Sequence, residues 1–189
     1  MTKEKRRNQA LLRRDSLDNN KIVEASKVIF EKVTTLLPYQ EADNILIYAS
    51  MRSEVITDEI ILDALSKGKR VFCPKVIDRK NGIMKFARIH ALEELKEGYF
   101  GIREPVLSDG YTEPAFDTDK SLVIMPLVSF DKDRNRIGYS GGFYDRYLSS
   151  HRGLKAMAIA FECQKEAEVI RAEEHDIAPF MVVTEESIY

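Results

Sequence analysis

The feature of this sequence that most restricts its fold is the alternation of short apolar runs with helical stretches. The apolar runs have the length of strands and cover residues 44–49, 70–76, 83–89, 121–130, 155–161 and 180–184. The helical stretches lie before and between them, at residues 3–14, 20–37, 57–67 and 142–151. Because the apolar runs lack strict polar alternation, they predict an α/β fold with a mainly parallel sheet and helices on both faces. Such sheets bind ligands at the carboxyl ends of their strands.

Two segments are less regular than this alternation. Pro74 has no amide hydrogen, so it argues against a central position in the sheet for the strand at 70–76. Residues 96–119 contain several glycines and prolines without periodicity, which predicts a long surface connection. Loops of that length often carry function.

The composition favours one globular domain over residues 1–189. The chain is 44% hydrophobic and 32% charged, which suits a single sizeable core. A formal net charge of -2 predicts no global attraction to nucleic acid or to an anionic membrane, so any anion site has to be local. The sequence has no sustained heptad pattern, and we expect a monomer.

The cysteines and the amino terminus predict a cytoplasmic protein. Cys73 and Cys163 are far apart in the sequence and indicate neither a disulfide framework nor a thiolate zinc site. The basic start of the chain lacks an apolar core of signal-peptide length. No stretch approaches the ~18 consecutive apolar residues of a membrane span.

A glycine-containing segment from Arg134 to Arg146 joins the most hydrophobic strand to a helix. Glycines let backbone amides turn toward a phosphate, the helix start adds partial positive charge, and Arg136 adds a full charge. The segment is neither a Walker A loop nor a GxGxxG fingerprint. From spacing alone it is either an anion or nucleotide site or an ordinary glycine-rich turn.

The first helical stretch carries a basic stripe. Lys3, Arg7 and Arg14 fall within about 40° of one another on an ideal helix of ~100° per residue. The stripe either presents cations to a polyphosphate or is a solvated basic face, which is the commoner meaning of a charge run. Ala10 and Leu17 share the stripe and indicate that it is partly packed.

Several carboxylates have both a ligand-binding and a structural interpretation. Glu54 lies between a strand and a helix, where it either accepts hydrogen bonds from ligand nitrogens or faces water. Asp145, in the first turn of a helix, either binds a metal ion or interacts with the helix dipole. Asp176 is either a second carboxylate for magnesium or a turn residue. The histidines are isolated and predict no metal site.

The sequence resembles the 5-formyltetrahydrofolate cyclo-ligase family, also called 5,10-methenyltetrahydrofolate synthetases. The resemblance runs in order from the basic amino-terminal helix to the last strand. The segments that carry it are Lys3 to Arg7, SMRSEVIT at 50–57, GIREP at 101–105, PLVSFD ending at Asp131, RNRIGYSGGFYDRYL at 134–148 and EHDIAPFMVVTE near the end. The glycine segment followed by YDRYL is the most specific of these.

This resemblance implies a single three-layer α/β/α domain and assigns roles to individual residues. It implies contacts to ATP from Lys3, Glu4, Lys5, Arg6, Arg7, Arg136, Ile137, Gly138, Tyr139, Ser140, Gly141, Gly142, Phe143 and Tyr144. It implies contacts to the folate substrate from Ala49, Glu54, Tyr139, Ser140, Gly141, Gly142 and Phe143. Asp145 and Asp176 are the implied magnesium ligands, and Lys3 and Arg136 are the implied catalytic residues. Relative to the family, Ser140 replaces a usual glycine, Phe143 a usual tyrosine, and Ala49 a larger apolar residue.

The activity implied by the resemblance is the ATP-dependent cyclisation of 5-formyltetrahydrofolate to 5,10-methenyltetrahydrofolate, with release of ADP and phosphate. ATP is then a co-substrate and Mg2+ a cofactor, and both organic partners are small molecules. The alternative is a non-catalytic regulatory module that binds a nucleotide or phosphate. The same amides can bind an anion without turning it over, so the fold alone does not separate the two.

Overall fold

The helices and strands alternate along the chain as the apolar pattern predicts. The computed structural model describes residues 2–98 and 101–189; Met1, and Tyr99 and Phe100 of the predicted surface connection, lie outside the described residues. The α-helices are α1 (Lys3–Asp15), α2 (Asn19–Thr35), α3 (Leu37–Glu41), α4 (Asp58–Ser66) and α5 (Phe143–Ser150). The strands are β1 (Asn44–Ile47), β2 (Arg70–Asp78), β3 (Ile83–Ile89), β4 (Leu95–Glu97), β5 (Arg103–Pro105), β6 (Ser121–Pro126), β7 (Ser129–Phe130), β8 (Arg136–Ile137), β9 (Lys155–Ile159) and β10 (Met181–Val183). Within the described ranges, no helix combines the length and apolar character needed to cross a membrane.

The central sheet has six strands in the order β10-β9-β6-β1-β2-β3. Its pairs are parallel from β10 to β2, and β3 is antiparallel to β2. The predicted mainly parallel α/β sheet is therefore confirmed. Two short two-stranded ribbons, β4-β5 and β7-β8, lie outside it.

Side chains of the buried strands alternate between two apolar clusters on opposite faces of the sheet. In β1, Ile45 and Ile47 belong to one cluster and Leu46 to the other, as the two-residue period of a strand requires. The first cluster also holds apolar residues of α2 and α4, and the second holds Tyr147 and Leu148 of α5. The sheet is thus flanked by helices on both faces, as expected for three layers.

The sequence predictions fail where tertiary pairing decides the structure. Pro74 lies in β2, which is an internal strand of the sheet. A proline is tolerated at this position because the pairing of β2 with β1 ends at Phe72. The predicted strand at 121–130 is two strands: β6 stays in the central sheet, whereas β7 pairs with β8. The predicted surface connection contains the β4-β5 ribbon, whose three-residue strands are too short to show a period.

Helix α1 reaches the end of the sheet where the parallel strands finish. It begins after Thr2, whose hydroxyl accepts a hydrogen bond from the Lys5 amide. It contacts the short 3-10 turn Glu162–Gln164, which follows β9, and it also contacts β7. The amino-terminal helix therefore lies beside the glycine segment, which contains β8.

Candidate active site

A cleft of about 700 Å³ opens between the start of α1, the glycine segment and the turn before β10. Charged residues, serines and glycines make up most of its walls. The lining residues are Lys3, Arg7, Arg136, Ile137, Gly138, Ser140, Gly142, Asp145, Arg146, Ser149, Ser150, Glu173, His175 and Asp176. Segments from both ends of the sequence therefore meet at one site, at the strand ends where a parallel sheet is expected to bind ligands.

The glycine segment owes its path to backbone conformations that side chains disfavour. Gly142 caps the start of α5 with a left-handed φ of 62°, and Ser140 has a φ of 82°. The Phe143 ring lies against Gly141, where an added Cβ would come within 2.3 Å of the ring. Arg146, one turn into α5, donates to the Gly141 carbonyl. The loop is thus fixed by its own glycines and by the helix that follows it.

Arg136 and Asp145 form a buried ion pair in the wall of the cleft. The Arg136 guanidinium approaches Asp145 Oδ1 to 2.6 Å, and the two side chains are only 6% and 16% exposed. Arg136 Nε also donates to the Ile177 carbonyl at 3.2 Å, and the Ile177 amide donates to Asp145 Oδ1 at 2.9 Å. The pair therefore joins β8, α5 and the segment before β10.

Lys3 and Asp176 form a second ion pair across the cleft. Lys3 Nζ lies 2.6 Å from Asp176 Oδ2 and 3.0 Å from Glu173 Oε1. Partial burial by itself lowers the pKa of Lys3, but the hydrogen bonds to Asp176 and Glu173 outweigh it and raise the pKa. Burial raises the pKa of Asp176, and the hydrogen bond from Lys3 reverses this and holds the pKa below its usual value. Both groups are therefore charged at neutral pH.

The remaining basic residues of the first helical turns separate into two groups. Arg7 lines the cleft and donates from Nε to the Gly138 carbonyl at 2.8 Å. Arg6 is buried and points elsewhere: its guanidinium lies 2.7 Å from Glu168 and 3.8 Å from Glu166. Glu4 and Lys5 are exposed and lie outside the residues that line the cleft. Of the predicted ATP contacts on α1, the structure brings Lys3 and Arg7 to the cleft.

A hydrogen-bonded chain links α1 to Glu54 on the other side of the glycine segment. Arg14 donates to the Tyr139 hydroxyl at 2.6 Å, and that hydroxyl donates to Glu54 Oε1 at 2.6 Å. Burial raises the pKa of Glu54, while the Tyr139 hydrogen bond, the Met51 amide and the charges of Arg14 and Arg52 oppose the rise. Glu54 is therefore a buried carboxylate. This contradicts the interpretation of Glu54 as a loop residue that faces water.

Other residues predicted to contact a ligand pack against the core. Ala49, two residues after β1, is 5% exposed and belongs to the apolar cluster that includes α2 and α4. Tyr144 packs against the opposite cluster, and its hydroxyl is buried without a hydrogen-bond partner in the described part of the chain. Ile137 is buried in β8 and forms part of the cleft wall. These positions shape the site from beneath.

Sequence reasoning missed some residues that line the cleft or hold it together. Arg146 and Glu173 line the cleft, and a signal for Arg146 was available because it stands one helical turn after Gly142. The basic stripe contained Arg14, but its partner is the Tyr139 hydroxyl rather than the cleft. Asp131, at the end of the PLVSFD segment, accepts hydrogen bonds from the backbone amides of Asn135 and Ile170. These bonds fix the start of the glycine segment. No local sequence pattern predicts the contact between Asp131 and Ile170.

The chain matches known proteins over almost its whole length. The family model described as "5-formyltetrahydrofolate cyclo-ligase family" matches residues 1–185. A 5-formyltetrahydrofolate cyclo-ligase of Mus musculus is 33% identical over 170 residues, which cover 86% of this chain and 83% of the relative. One from Escherichia coli K12 is 30% identical over 179 residues, covering 94% and 97% of the two chains.

The fold is also shared with a solved structure. The NMR structure of the Aquifex aeolicus 5,10-methenyltetrahydrofolate synthetase superposes with a TM-score of 0.82 at 25% identity, covering 100% of this chain and 92% of that one. The match of the family model, the identity to the relatives and the superposition all involve nearly the full chain. The chain therefore belongs to the 5-formyltetrahydrofolate cyclo-ligase family.

Proposed function

We propose that this chain catalyses the ATP-dependent cyclisation of 5-formyltetrahydrofolate to 5,10-methenyltetrahydrofolate, releasing ADP and phosphate. The observation that carries the proposal is the cleft in which Lys3, Arg7 and Arg136 meet the glycine segment, in a chain that matches the family over residues 1–185. Cations and backbone amides around one cavity suit a polyphosphate.

The reaction has to remove the oxygen of the formyl group on nitrogen 5, and hydroxide is a poor leaving group. In the proposed sequence, the formyl oxygen attacks the γ-phosphorus of ATP and ADP departs. Nitrogen 10 then attacks the activated formyl carbon, the carbon–oxygen bond breaks, phosphate leaves, and nitrogen 10 loses its proton. No protein nucleophile is needed, so the residues act by positioning and by stabilising charge.

Lys3 and Arg136 are the proposed catalytic residues, and Arg7 assists them. Their side chains all line the cleft in which the γ-phosphate is proposed to bind. Charge on the phosphoryl oxygens is redistributed during transfer, and fixed cations in a partly dry site stabilise that redistribution better than water does. Arg136 offers a planar fork of donors held in place by Asp145 and Ile177.

The cleft also has the donor set that a nucleotide-bound magnesium ion uses. Asp145 and Asp176 both line it, and among the described residues the hydrogen bonds of each carboxylate fall on one oxygen. Within residues 2–98 and 101–189, no group of three or more His, Cys, Asp or Glu forms a metal site. Mg2+ takes one or two carboxylates together with phosphate oxygens and waters, and Asp145 and Asp176 supply two carboxylates. The ion would be held by Asp145 and Asp176 and would neutralise phosphate charge.

We propose that the folate substrate binds on the Glu54 side of the glycine segment. Glu54 Oε1 accepts from Tyr139 and Oε2 accepts from the Met51 amide at 3.0 Å, so each oxygen retains one acceptor position. Two adjacent N–H donors of a pterin-like ring match that pair. Ala49 and the loop from Tyr139 to Phe143 complete the proposed folate contacts. Ile137 and Gly138, which line the cleft, join the proposed ATP contacts, and the ATP contacts predicted for Glu4, Lys5, Arg6 and residues 139–144 stay predictions. The cytoplasmic location, the monomeric state and the single domain over 1–189 stay predictions.

The proposed function is tested by coupling. Purified protein with ATP and Mg2+ is assayed for ADP with and without 5-formyltetrahydrofolate, while the absorbance of the methenyl product is followed. We expect ADP release to depend strictly on the folate, to match product formation in amount and to stop when a chelator removes Mg2+. Binding of ATP without folate-dependent ADP release would instead identify a non-catalytic nucleotide-binding module.

A further inference from the structure

We infer that Arg14 is a positioning residue for the folate side of the site: it holds the Tyr139 hydroxyl and the Glu54 carboxylate in the arrangement that receives the substrate. The inference rests on the proposed function, because it takes Glu54 as a folate contact. It gives α1 a role on the folate side, in addition to the cations that α1 places in the cleft. A residue on the basic stripe would otherwise be expected to point to the phosphates.

The contacts of Arg14 fix the direction of one proton. Arg14 is 3% exposed, and it donates to the Tyr139 hydroxyl at 2.6 Å and to Ser53 Oγ at 3.0 Å. Its guanidinium also lies over the Tyr139 ring, 5.6 Å from the centroid. Because the hydroxyl accepts from Arg14, its own hydrogen is free to point at Glu54, and the 2.6 Å contact to Oε1 shows that it does.

Arg14 also supplies a positive charge that stabilises the buried Glu54 carboxylate. Glu54 is 5% exposed, and an unpaired carboxylate at such a position takes up a proton. The charged and titratable groups around Glu54 come from α1, its own loop, the end of β1, the glycine segment and α5, and they are Arg14, Arg52, Tyr48, Tyr139 and Tyr144. Of the two cations, Arg52 is exposed and screened by water, whereas Arg14 is buried.

The sign of the expected pH effect follows from these charges. Burial already raises the pKa of Glu54, and Arg14 lowers it by stabilising the ionised form. Without Arg14 the pKa rises further, so Glu54 takes up its proton at a higher pH than in the wild type. A protonated carboxyl loses one of its acceptor positions, and folate affinity therefore falls as the pH drops through the Glu54 pKa. In a variant without Arg14 the fall begins at higher pH.

The test compares Arg14→Met with Arg14→Lys and with Arg13→Met as a matched control. Arg13 stands next to Arg14 on α1, but it binds Glu166 and the Cys163 carbonyl, away from Glu54. Binding of 5-formyltetrahydrofolate and of ATP is measured by calorimetry from mildly acidic to mildly alkaline pH, below the lowest melting temperature of the set. We expect Arg14→Met to weaken folate binding roughly tenfold at neutral pH, with recovery as the pH is raised, and to leave ATP binding unchanged.

The conservative variant and the control separate positioning from general support. Arg14→Lys restores the positive charge without the planar fork, so it should recover the wild-type pH profile more fully than the affinity. Arg13→Met should show the wild-type profile even if its melting temperature falls. If Arg14→Met keeps the wild-type pH profile, or loses ATP and folate affinity equally at every pH, the inference is wrong.

Glu54→Gln distinguishes failure of this inference from failure of the proposed function. The amide cannot titrate, so we expect weak folate binding without pH dependence, and no further loss on adding Arg14→Met. If Glu54→Gln binds folate as the wild type does, both the proposed folate site and the proposed role of Arg14 are wrong. A weakened Glu54→Gln beside an unaffected Arg14→Met would overturn only the role of Arg14.

Discussion

Arg136 and Lys3, the proposed phosphate-binding cations, are each paired with a proposed magnesium ligand, Asp145 and Asp176. Both pairs lie in one cleft, so the site is close to charge balance before any ligand is considered. A polyphosphate carrying a divalent cation presents the complementary arrangement of charges. Phosphate oxygens can take over the cations while the metal ion takes over the carboxylates, and no charge is left buried alone. ATP and magnesium are therefore expected to bind together more tightly than either alone.

Replacing Arg136 by methionine tests the central cation of the site. We expect turnover to fall on the order of 100-fold or more, because the guanidinium contacts tighten as charge moves on the phosphoryl group. The melting temperature should also fall, since Arg136 holds the Ile177 carbonyl and balances Asp145. Steady-state kinetics well below the melting transition separates the two effects.

Two companion variants control this experiment. Arg136→Lys keeps the charge but not the planar fork, so its turnover should lie between those of the wild type and Arg136→Met. Arg152→Met removes an exposed arginine just beyond α5 and should behave as the wild type. A normal turnover number for Arg136→Met would remove Arg136 from the catalytic assignment.

Ser140 is a residue whose backbone conformation its side chain disfavours. Its φ of 82° lies in the left-handed region, which suits the glycine usual in the family. Ser140→Gly should therefore raise the free energy of unfolding by about 1 kcal/mol, through relief of the strain less the added freedom of the unfolded chain. Chemical denaturation measures the change. Ser149→Gly, inside α5, should lower stability by roughly 0.5 kcal/mol, and a loss of stability in Ser140→Gly as well would contradict the strain.

Among the elements, α1 makes the most varied contribution to the site. Its first turns supply Lys3 and Arg7 to the cleft, and its last turn supplies Arg14 to Tyr139. Ala10, between these groups, is 0% exposed, so the helix is anchored by packing as well as by charge. The interpretation of the stripe as a solvated basic face is wrong. Because the two groups on α1 contact different parts of the site, they can be removed separately.

The double variant Lys3→Met with Arg7→Met isolates the contribution of α1 to the phosphate side. We expect ATP affinity to fall on the order of tenfold or more, because two cations leave the cleft, while folate affinity changes little. Calorimetric titration with each ligand measures both. Lys21→Met with Lys27→Met removes two exposed charges from α2 and should leave both affinities unaltered. Equal ATP affinity in the double variant and the wild type would assign Lys3 and Arg7 a structural role.

At the scale of the whole molecule, the sequence predicted what local patterns encode. Period and caps predicted α1, α2, α4 and α5 to within a few residues, and the apolar runs predicted the mainly parallel sheet. The β4-β5 ribbon and the turn of β7 toward β8 were not predicted, because strands of two or three residues carry no measurable period. The argument from Pro74 against an internal position for β2 was wrong, because a proline disturbs the sheet only where the neighbouring strand still pairs, and β1 pairs no further than Phe72.

The sequence predicted which residues line the candidate site better than it predicted the contacts that those residues make. Lys3, Arg7, Arg136, Asp145 and Asp176 all line one cleft, as the motifs implied. The turn of Arg6 toward Glu168 and the contact of Arg14 with Tyr139 could not be predicted, because helical spacing gives the face of a residue and not its partner. Connections of this kind depend on tertiary packing.

The ion pair between Lys3 and Asp176 joins residues that are 173 positions apart. During synthesis, the first helix leaves the ribosome long before the segment that completes its surroundings. At roughly 5–20 residues per second, the delay is on the order of ten to thirty seconds. Until then α1 lacks Asp176, and for most of that time it also lacks the Gly138 carbonyl, to which Arg7 donates. Closure of the cleft is therefore a late step in the maturation of the chain, and a nascent chain stalled before Asp176 lacks both this ion pair and the edge strand β10.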